Sequence, residues 1–517
     1  MKKDIAIIGG SVGGCLAAYT AAKLGKRVVL TEETAWIGGQ LTSQAVPPDE
    51  HQWIEDFGCT QTYRAFRNEV RNYYKRHYPL KEEAFRNAKL NPGNAWVSRI
   101  AHEPRVALNI LYDMLQPYLA NGMIELLLEH KVTQAEAAHD TVQHVIVTHT
   151  HTGRDVLIEA DYFLDATELG DVLPLAGVAY TTGAEPKEET EEPNALQGGN
   201  SRDIQSITHV FALEYAQGEN HTIAKPEQYD DWKSYRAAFL NHDQLSDFMP
   251  DPHTGSSKQI PLFTKGNALG LWEYRRIIDA NQFEPGFFKG DISLVNWPQN
   301  DYWLGSIIDD VHKEQHLHDA RQLSLSLLYW LQTEAPRDKR QKGYPELKLR
   351  PDIVGTKDGL AMHPYIRESR RIRAMHTVTE HPINADVRGD AGIKRYNDSV
   401  GIGAYRIDLH PTTETNRMFY ARSYPFEIPL GSLIPVKAKN VIPACKNIGT
   451  TQLTNGCYRV HPAEWNIGEA AGALAVFALR HDQSLQDIYQ NADMVKDLQQ
   501  LLTDLGITLH WPEVGAF

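Results

Sequence analysis

A glycine-rich turn near the start of the chain has the composition of a phosphate-binding loop. Residues 9–14 read GGSVGG and lie between an apolar run, DIAII, and an alanine-rich run, CLAAYTAAKLG. Gly9 allows a sharp turn and Gly14 allows a helix to pack closely on a strand, while Ser11 stands where another glycine is usual. The Ser11 hydroxyl can itself donate to a phosphate. With Gly13 at the start of the predicted helix, free N–H groups and a partial positive charge would face a pyrophosphate.

Two adjacent carboxylates, Glu32 and Glu33, end the second apolar run, which begins RVVLTE. An acid at this point accepts hydrogen bonds from a ribose 2′-hydroxyl and repels a 2′-phosphate. A tight turn alone, or an alanine-rich helix alone, would be ordinary packing. Strand, glycines, helix, strand and acid in this order predict a dinucleotide-binding βαβ unit.

A cluster of arginines in the second half of the chain is a candidate for binding an anionic group. Arg367, Arg370 and Arg371 fall within five residues. On a helix they share one face, and a guanidinium can hold a carboxylate through two parallel hydrogen bonds. The alternative is an exposed helix in which the arginines form salt bridges with Glu368. We expect at least Arg367 to lie near the reaction site.

The segment at residues 44–60, QAVPPDEHQWIEDFGCT, carries another candidate set. His51, Glu55 and Cys59 recur at intervals of four. His51 is the strongest acid–base candidate of the three because an imidazole titrates near neutral pH. A solvated or structural histidine is the alternative, and the sequence favours a buried, inert thiol for Cys59.

Two further segments place titratable and basic side chains close together. Tyr458, Arg459 and His461 precede a small-residue helix, and they form one candidate group. In the strand-like run YRIDLH, alternate residues share a face, so His410 would point with Arg406 and Asp408 into a substrate chamber. That face could equally be the solvated side of a half-buried strand. For His149 and His151, which mimic a metal-binding pair, no Cys or carboxylate stands at ligand spacing, and no metal site is predicted.

Four separated segments resemble the FAD-dependent oxidoreductase family, which has the glutathione-reductase-type FAD fold and is related to the fumarate reductase and succinate dehydrogenase flavoproteins. The first is the βαβ unit through GGQLTS at residues 38–43. The second, DATELGD at residues 165–171, is similar to a D-A-T-G-D-G-D segment of that family. The third, RESRR at residues 367–371, is similar to its R-E-T-R segment, and the fourth runs from residue 440 to 472.

The resemblance implies the parts of an FAD site. Residues 38–43 would wrap the pyrophosphate and reach toward the flavin, Val132 would hold the adenine through its backbone, and the helix at residues 462–472 would begin at the flavin. The chain departs from the family at Ala444-Cys445-Lys446-Asn447, where Lys446 or Asn447 would substitute for the usual contacts. The cofactor-binding residues predicted in these segments and not yet named are Gly38, Gly39, Gln40, Leu41, Thr42, Ser43, Ala166, Thr167, Asn466 and Ile467.

The predicted fold class is α/β: a doubly wound, Rossmann-like FAD-binding domain with an inserted, β-rich α+β substrate domain and a helical C-terminus. We expect residues 1–174 to begin the FAD domain, with residues 44–104 as an active-site excursion. Residues 175–430 would form the substrate or cap domain, residues 431–482 would close the FAD domain, and residues 483–517 would form a helical tail. A chain of 517 residues is long enough for two or three domains.

Composition narrows the partners. The formal net charge is −14, which disfavours nucleic acid, and no apolar run approaches the length of a membrane span. Four cysteines without a C-x-x-C pair indicate a reducing cytoplasm rather than a disulfide framework. The oligomeric state is not predicted.

The function expected from these features is that of an oxidoreductase. A hydride would pass between flavin N5 and a polar, carboxylate-bearing small molecule. No second dinucleotide motif stands between a strand and a helix, so O2 or an electron carrier would reoxidise the flavin. Two alternatives stay open: a flavin monooxygenase, and a flavoprotein that uses FAD for non-redox chemistry.

Overall fold

The first and last parts of the chain meet in one large sheet. The computed structural model describes residues 1–251, 254, 256–337 and 341–517. The strand order is β3-β2-β1-β6-β5-β4, and β21 lies beside the end of β6. β1, β2, β3 and β21 run parallel to the strands with which they pair, whereas β5 pairs antiparallel with both β4 and β6. The strands are β1 Lys2–Ile8, β2 Val28–Glu32, β3 Ile124–Leu128, β4 His130–Ala138, β5 Thr141–His149, β6 Asp155–Asp165 and β21 Val441–Pro443.

Two small-residue helices pack against each other on this sheet and join the two ends of the chain. The helix α1 (Val12–Lys23) follows the glycine turn, and α13 (His461–His481) follows the C-terminal motif. Their backbones approach closely, because a Cβ on Gly468 would lie 2.2 Å from the Gly13 carbonyl oxygen. A Cβ on Gly472 would lie 2.6 Å from the Ala17 carbonyl oxygen. Larger residues at either glycine would force the helices apart.

Between these parts lies an α+β region with its own apolar core, which includes Phe211, Leu213, Trp272 and Trp297. A four-stranded antiparallel sheet, in the order β12-β13-β9-β15, carries the 21-residue helix α9 (Lys313–Thr333) and several short paired strands. The fold class therefore agrees with the α/β prediction, while the domain boundaries stay a prediction. The remaining strands are β7 Tyr180–Thr181, β8 Ile207–Thr208, β9 Phe211–Tyr215, β10 Phe248–Pro250, β11 Ser257–Gln259, β12 Arg276–Ile278, β13 Ile292–Val295, β14 Asp301–Tyr302, β15 Leu347–Leu349, β16 Arg371–Ile372, β17 Ser399–Gly403, β18 Ile407–Leu409, β19 Phe419–Ala421 and β20 Phe426–Pro429.

Longer helices at residues 61–120 and after residue 450 flank the large sheet. The remaining helices are α2 Gln61–His77, α3 Glu82–Arg86, α4 Pro104–Ala120, α5 Val172–Leu175, α6 Lys187–Thr190, α7 Tyr229–Ser234, α8 Leu271–Tyr274, α10 Pro351–Val354, α11 Ala385–Arg388, α12 Gln452–Tyr458, α14 Leu485–Gln490 and α15 Ala492–Asp504. Across the described part of the chain, none of the helices has the length and apolar character to span a bilayer.

The arginine segment at residues 367–371 is not helical, so the expected shared helix face is wrong. Residues 366–370 adopt no regular secondary structure, and Arg371 begins β16, which pairs with β7. The three side chains therefore diverge. Arg370 pairs with Asp171 and Asp309, while Arg371 is fully buried and pairs with Glu185 and Glu368.

Candidate active site

A narrow crevice at the carboxyl ends of β1, β2 and β6 collects residues from the predicted cofactor set. Its volume is about 20 Å3. Gly9 has a φ of +103°, and a Cβ there would lie 2.3 Å from the Ala166 carbonyl oxygen, so glycine is required. Ser11 caps α1 by accepting the Gly14 N–H at 3.2 Å. The predicted residues on the crevice wall are Gly9, Ser11, Glu32, Glu33, Gly39, Ser43, Val132, Ala166 and Thr167.

The two acids at the end of the β2 strand differ in their surroundings. Glu32 is buried and accepts the Gly10 N–H at 3.0 Å and the Thr34 N–H at 2.8 Å. Burial raises its pKa to about 7. Burial also acts on Glu33, but Lys131 Nζ at 2.8 Å and His363 Nε2 at 3.3 Å lower the pKa of Glu33 below its ordinary range. The crevice thus presents one readily protonated acid and one that stays ionised.

A second group of charges surrounds Lys446, where the chain departs from the family pattern. The Lys446 ammonium pairs with Glu168 and lies 3.7 Å from Glu464 Oε2. Glu464 in turn accepts the Gly13 N–H at 3.1 Å and the Gln40 Nε2–H at 2.6 Å. Glu168, Cys445 and Glu464 together have the atoms of a small metal site, but the ammonium supplies the positive charge within this cluster.

Two buried acceptor oxygens at this cluster fit the hydroxyl groups of a dinucleotide cofactor. Glu168 Oε1 and Gln40 Oε1 are buried without a hydrogen-bond partner among the described residues. A Cβ on Gly39 would lie 2.3 Å from Glu168 Oε1, so that carboxylate rests on the turn predicted to wrap the pyrophosphate. Pockets that enclose ligands of this size measure about 300–1,000 Å3. These acceptor oxygens suit the ribose and ribityl hydroxyls of FAD, and the crevice, at about 20 Å3, must widen when FAD binds.

The other predicted cofactor residues lie behind the crevice or away from it. Gly13 and Gly14 belong to α1, and Gly38, with a φ of +104°, leads into the short helix at Gly39–Leu41. Thr42 Oγ1 donates to the Ile37 carbonyl oxygen at 2.6 Å, and Asn447 joins β21 to the end of β6 through Asp165. Asn466 bonds Val400 and Ile402, and Ile467 is buried in the core. These residues stabilise the fold around the crevice and do not form its wall.

A much larger cavity, about 930 Å3, lies where residues 49–55, the α+β region and residues 405–411 meet. Four of the six predicted catalytic residues line it: His51, Arg367, His410 and Arg459. The cavity borders the segment predicted to reach the flavin, because Gln40 Nε2 donates to the Arg459 carbonyl oxygen at 3.1 Å. The Ser43 carbonyl oxygen also accepts the His363 N–H at 3.1 Å, two residues before the cavity-lining Tyr365.

His410 is oriented by a carboxylate on the cavity wall. Its Nδ1 lies 2.6 Å from Asp301 Oδ2, and its Nε2 lies 3.6 Å from Asp408 Oδ2. Asp301 is completely buried, accepts the Thr208 hydroxyl at 2.6 Å, and pairs with Arg367 Nη2 at 2.9 Å. Burial would raise the pKa of Asp301, but Arg367 and His410 lower it. The arrangement is an imidazole held by an ionised carboxylate, which is the geometry of an oriented general base.

Arg459 connects the cavity with the start of α13. Its Nη1 donates to the Tyr365 hydroxyl at 2.7 Å, and its Nη2 donates to the Asp408 carbonyl oxygen at 3.2 Å. Tyr458 beside it faces the opposite way: its hydroxyl donates to the Glu427 carbonyl oxygen at 2.7 Å, and its ring stacks on Phe426.

Two predicted histidines have both ring nitrogens engaged by backbone. His51 Nδ1 accepts the Trp53 N–H at 3.2 Å, and its Nε2 lies 2.9 Å from the Gly58 carbonyl oxygen. His461 Nδ1 accepts the Asp49 N–H at 3.1 Å, and its Nε2 lies 3.1 Å from the Val46 carbonyl oxygen. Burial lowers the pKa of each to about 4. Both imidazoles are neutral at pH 7, and they fix the path of residues 46–58.

Sequence reasoning missed several cavity residues. Asp49, Arg275 and Asp301 line the cavity beside the predicted residues, and Arg275 Nη1 lies 3.0 Å from Asp49 Oδ1. None of these three stands in a motif, and they come together only through tertiary structure. The one local signal was the YRIDLH run, whose Asp408 and His410 do line the cavity.

Comparison with known proteins shows where this architecture belongs. A stretch of 105 residues is 32% identical to part of a bilirubin reductase of Mediterraneibacter gnavus (strain CC55_001C). The matched stretch covers 20% of this chain and 15% of that protein. Among solved structures, a variant of E. coli quinol fumarate reductase FrdA is 11% identical over 98% of this chain and 74% of its own, with a TM-score of 0.33. A geranylgeranyl bacteriochlorophyll reductase-like protein from Thermoplasma acidophilum is 10% identical over 97% and 83%, also with a TM-score of 0.33. Scores at this level carry no functional argument. The model of the family described as FAD dependent oxidoreductase matches residues 4–502, and the chain therefore belongs to that family of FAD-dependent enzymes.

Proposed function

We propose that the protein transfers a hydride between FAD and a polar small molecule held in the 930 Å3 cavity, and that O2 or an electron carrier reoxidises the flavin. The observation that carries this proposal is the His410–Asp301 pair, 2.6 Å apart, on the wall of that cavity. Oxidation of an alcohol or amine removes a proton as well as a hydride, so an oriented base beside a large polar cavity suits the reaction.

When bound, FAD supplies the two-electron acceptor or donor. His410 would take the substrate proton at Nε2, because Nδ1 is held by Asp301. Asp301 would keep one tautomer of His410 and stabilise its charged form, and Arg367 would keep Asp301 ionised. Arg459 would hold Tyr365 and the strand that carries Asp408 in place. We assign positioning roles to His51, Tyr458 and His461, whose polar atoms already bond the backbone.

The thiols favour a reducing compartment for this reaction. All four cysteines are free, and three of them are buried. We propose that the enzyme acts in the cytoplasm, where such thiols stay reduced.

The test mixes the FAD-loaded protein anaerobically with each member of a panel of candidate substrates. Reduction of the flavin is monitored as a loss of its absorbance. The panel contains glucose, maltose and glycerol as neutral members and lactate and malate as hydroxy acids. With a panel member that reduces the flavin, His410→Gln should slow bleaching by about 10²- to 10⁴-fold, since the base is lost. His318→Gln, on the exposed side of α9, is the matched control and should bleach at the wild-type rate.

Two results would contradict the proposal. If the flavin of the His410→Gln variant were reduced at the wild-type rate, His410 would not be the base. Bleaching that occurs only with added NAD(P)H, in the presence of the substrate, would favour a monooxygenase instead.

A further inference from the structure

A second cavity of about 280 Å3, here called the side pocket, lies beside the large cavity and has no part in the chemistry proposed above. Two side chains, Ile260 and Gln299, line both cavities. The rest of the side pocket is formed largely by residues 259–271, by the end of α9 and by the turn that follows α9. It is therefore a compartment of the α+β region next to the site of the proposed reaction.

The inner wall of the side pocket is apolar. Its aliphatic and aromatic members are each at most 8% exposed. A cavity of about 150 Å3 with an apolar wall accommodates benzene, whereas drug-sized ligands occupy pockets of about 300–1,000 Å3. At about 280 Å3, the side pocket has room for one substituted ring. The apolar members of the wall are Leu262, Leu271, Leu327, Trp330, Leu331 and Tyr344.

Two polar atoms of the wall have no hydrogen-bond partner among the described residues. They are Trp297 Nε1 and Gln299 Oε1, on residues that are only 1% and 3% exposed. Gln299 Nε2 donates to the Phe248 carbonyl oxygen at 2.9 Å, and this contact fixes which end of the amide is the oxygen. Because buried polar groups are normally paired, an unpaired donor and an unpaired acceptor on one cavity wall indicate a ligand that bonds both.

The segment that carries these two atoms is held firmly by its neighbours. Asn300 Oδ1 accepts the Trp297 N–H at 2.9 Å, and Asn300 Nδ2 donates to the His209 carbonyl oxygen at 3.2 Å. Gln244 Nε2 donates to the Gln299 carbonyl oxygen at 2.9 Å. The donor and the acceptor are therefore fixed before a ligand arrives, which reduces the entropy lost on binding.

The charged side chains of the side pocket lie at its outer edge. Lys265 is exposed, and Asp247 and Arg337 are half-buried. Arg337 donates from both terminal nitrogens to the Glu346 carboxylate at 2.9 Å, and Asp247 Oδ2 accepts the Gln259 Nε2–H at 2.7 Å. The buried residues of the wall, as far as the structure describes them, are uncharged. An ion on this inner wall would lose its hydration without gaining a counter-ion, so a neutral ligand is favoured.

We propose that the side pocket binds a neutral aromatic ring that carries one hydroxyl group, with the chemistry of a phenol. A hydroxyl accepts from an indole N–H and donates to an amide oxygen, so this one group serves both Trp297 Nε1 and Gln299 Oε1. The ring packs against the leucines and against the rings of Trp330 and Tyr344. This site is separate from the substrate cavity and does not depend on the function proposed for that cavity.

The experiment measures the binding of phenol, anisole and benzoate to the FAD-loaded protein by calorimetry, without turnover. We expect phenol to bind with a Kd of about 1 mM or lower, as suits a ligand of this size in a well-matched pocket. Anisole has no hydrogen to donate to Gln299 and should bind about three- to tenfold more weakly. Benzoate is charged and should bind about tenfold more weakly or worse. Absence of phenol binding at about 10 mM, or anisole or benzoate binding as tightly as phenol, would overturn the proposal.

A matched pair of variants assigns the binding to the side pocket. Ala335 lines only the side pocket, and Ala95 lines only the large cavity. Ala335→Phe fills the side pocket and should weaken phenol binding about tenfold or more. Ala95→Phe makes the same change in the wall of the large cavity and should leave phenol binding unchanged. Phenol binding that persists in Ala335→Phe, or that is lost in Ala95→Phe, would place the ligand elsewhere and contradict the proposal.

A third variant keeps the test decisive if Ala335→Phe does not fold. Gln299→Leu removes the acceptor and should lower the affinity for phenol to that for anisole, with anisole binding unchanged. An unchanged affinity for phenol, or equal losses for phenol and anisole, would contradict the assigned hydrogen bond. Because these measurements involve no hydride transfer, a failure of phenol to bind leaves the proposed function standing, and a failure to reduce the flavin leaves this site standing.

Discussion

The crevice at the ends of β1 and β2 and the large cavity beside it are built in opposite ways. The crevice takes its glycine turn, helix and acids from residues 9–33, a single stretch of chain. The cavity takes Asp49, Asp301 and Asp408 from positions more than 100 residues apart. A site built from one supersecondary unit leaves a readable motif, whereas a site assembled by tertiary packing does not.

The largest expected effect is in the crevice, where backbone geometry tolerates no side chain. Gly9→Ala should abolish FAD retention, because the new Cβ would lie 2.3 Å from the Ala166 carbonyl oxygen. Gly25→Ala is the matched control, since Gly25 also has a positive φ, +90°, but nothing lies within 4 Å of its Cβ. The control should lose only about 1 kcal/mol of stability and keep its FAD. The measurement is the flavin content per chain after desalting. If the Gly9→Ala variant retained FAD, the close approach of residue 9 to the Ala166 carbonyl oxygen would be refuted.

In the cavity, the corresponding test breaks a buried charge pair. Arg367→Met leaves Asp301 buried without its guanidinium and should reduce the free energy of unfolding by about 3–5 kcal/mol. Arg202→Met breaks an exposed pair with Glu414, whose side chains are 78% and 38% exposed, and should change it by less than about 1 kcal/mol. Urea denaturation of the cofactor-free protein measures both. A similar loss of unfolding free energy in the two variants would show that the Arg367–Asp301 pair is exposed to water, contrary to its burial in the structure.

The smallest effect is a dependence of stability on pH, and the sign of this dependence differs between the crevice and the cavity. Because burial raises the pKa of Glu32 to about 7, the folded state binds more protons than the unfolded state between pH 4.5 and 7, and stability falls as pH rises through this range. Glu32→Gln should remove up to about 3 kcal/mol of that loss in the cofactor-free protein. Asp408 has the opposite shift, so its stabilising contribution is present above its ordinary pKa of 3.8 and is lost as pH falls through about 2. Denaturation midpoints between pH 4.5 and 8 test the first claim, and an unchanged slope in Glu32→Gln would contradict it.

The sequence was sufficient for the fold class and the cofactor because both depend on local patterns. Gly9, Ser11 and Glu32 lie on the crevice as their spacing predicted. Arg367 and His410 were named for their chemistry, but the arginine cluster was assigned to a helix that does not form. Whether Arg370 and Arg371 face the cavity depends on how β16 pairs with β7, and no local periodicity encodes that pairing. Asp301 could not be predicted, because its partners lie 66 and 109 residues away along the chain.

The packing of α1 against α13 has a consequence for how the enzyme matures. β21 and α13 are synthesised more than 400 residues after α1, which at 5–20 residues per second is a delay of roughly 20 to 80 s on the ribosome. During that interval the glycine turn lacks Lys446, Glu464 and the helix against which it packs. Yellow colour in this protein would therefore report that translation has passed α13, and a nascent chain stopped before residue 441 would stay colourless.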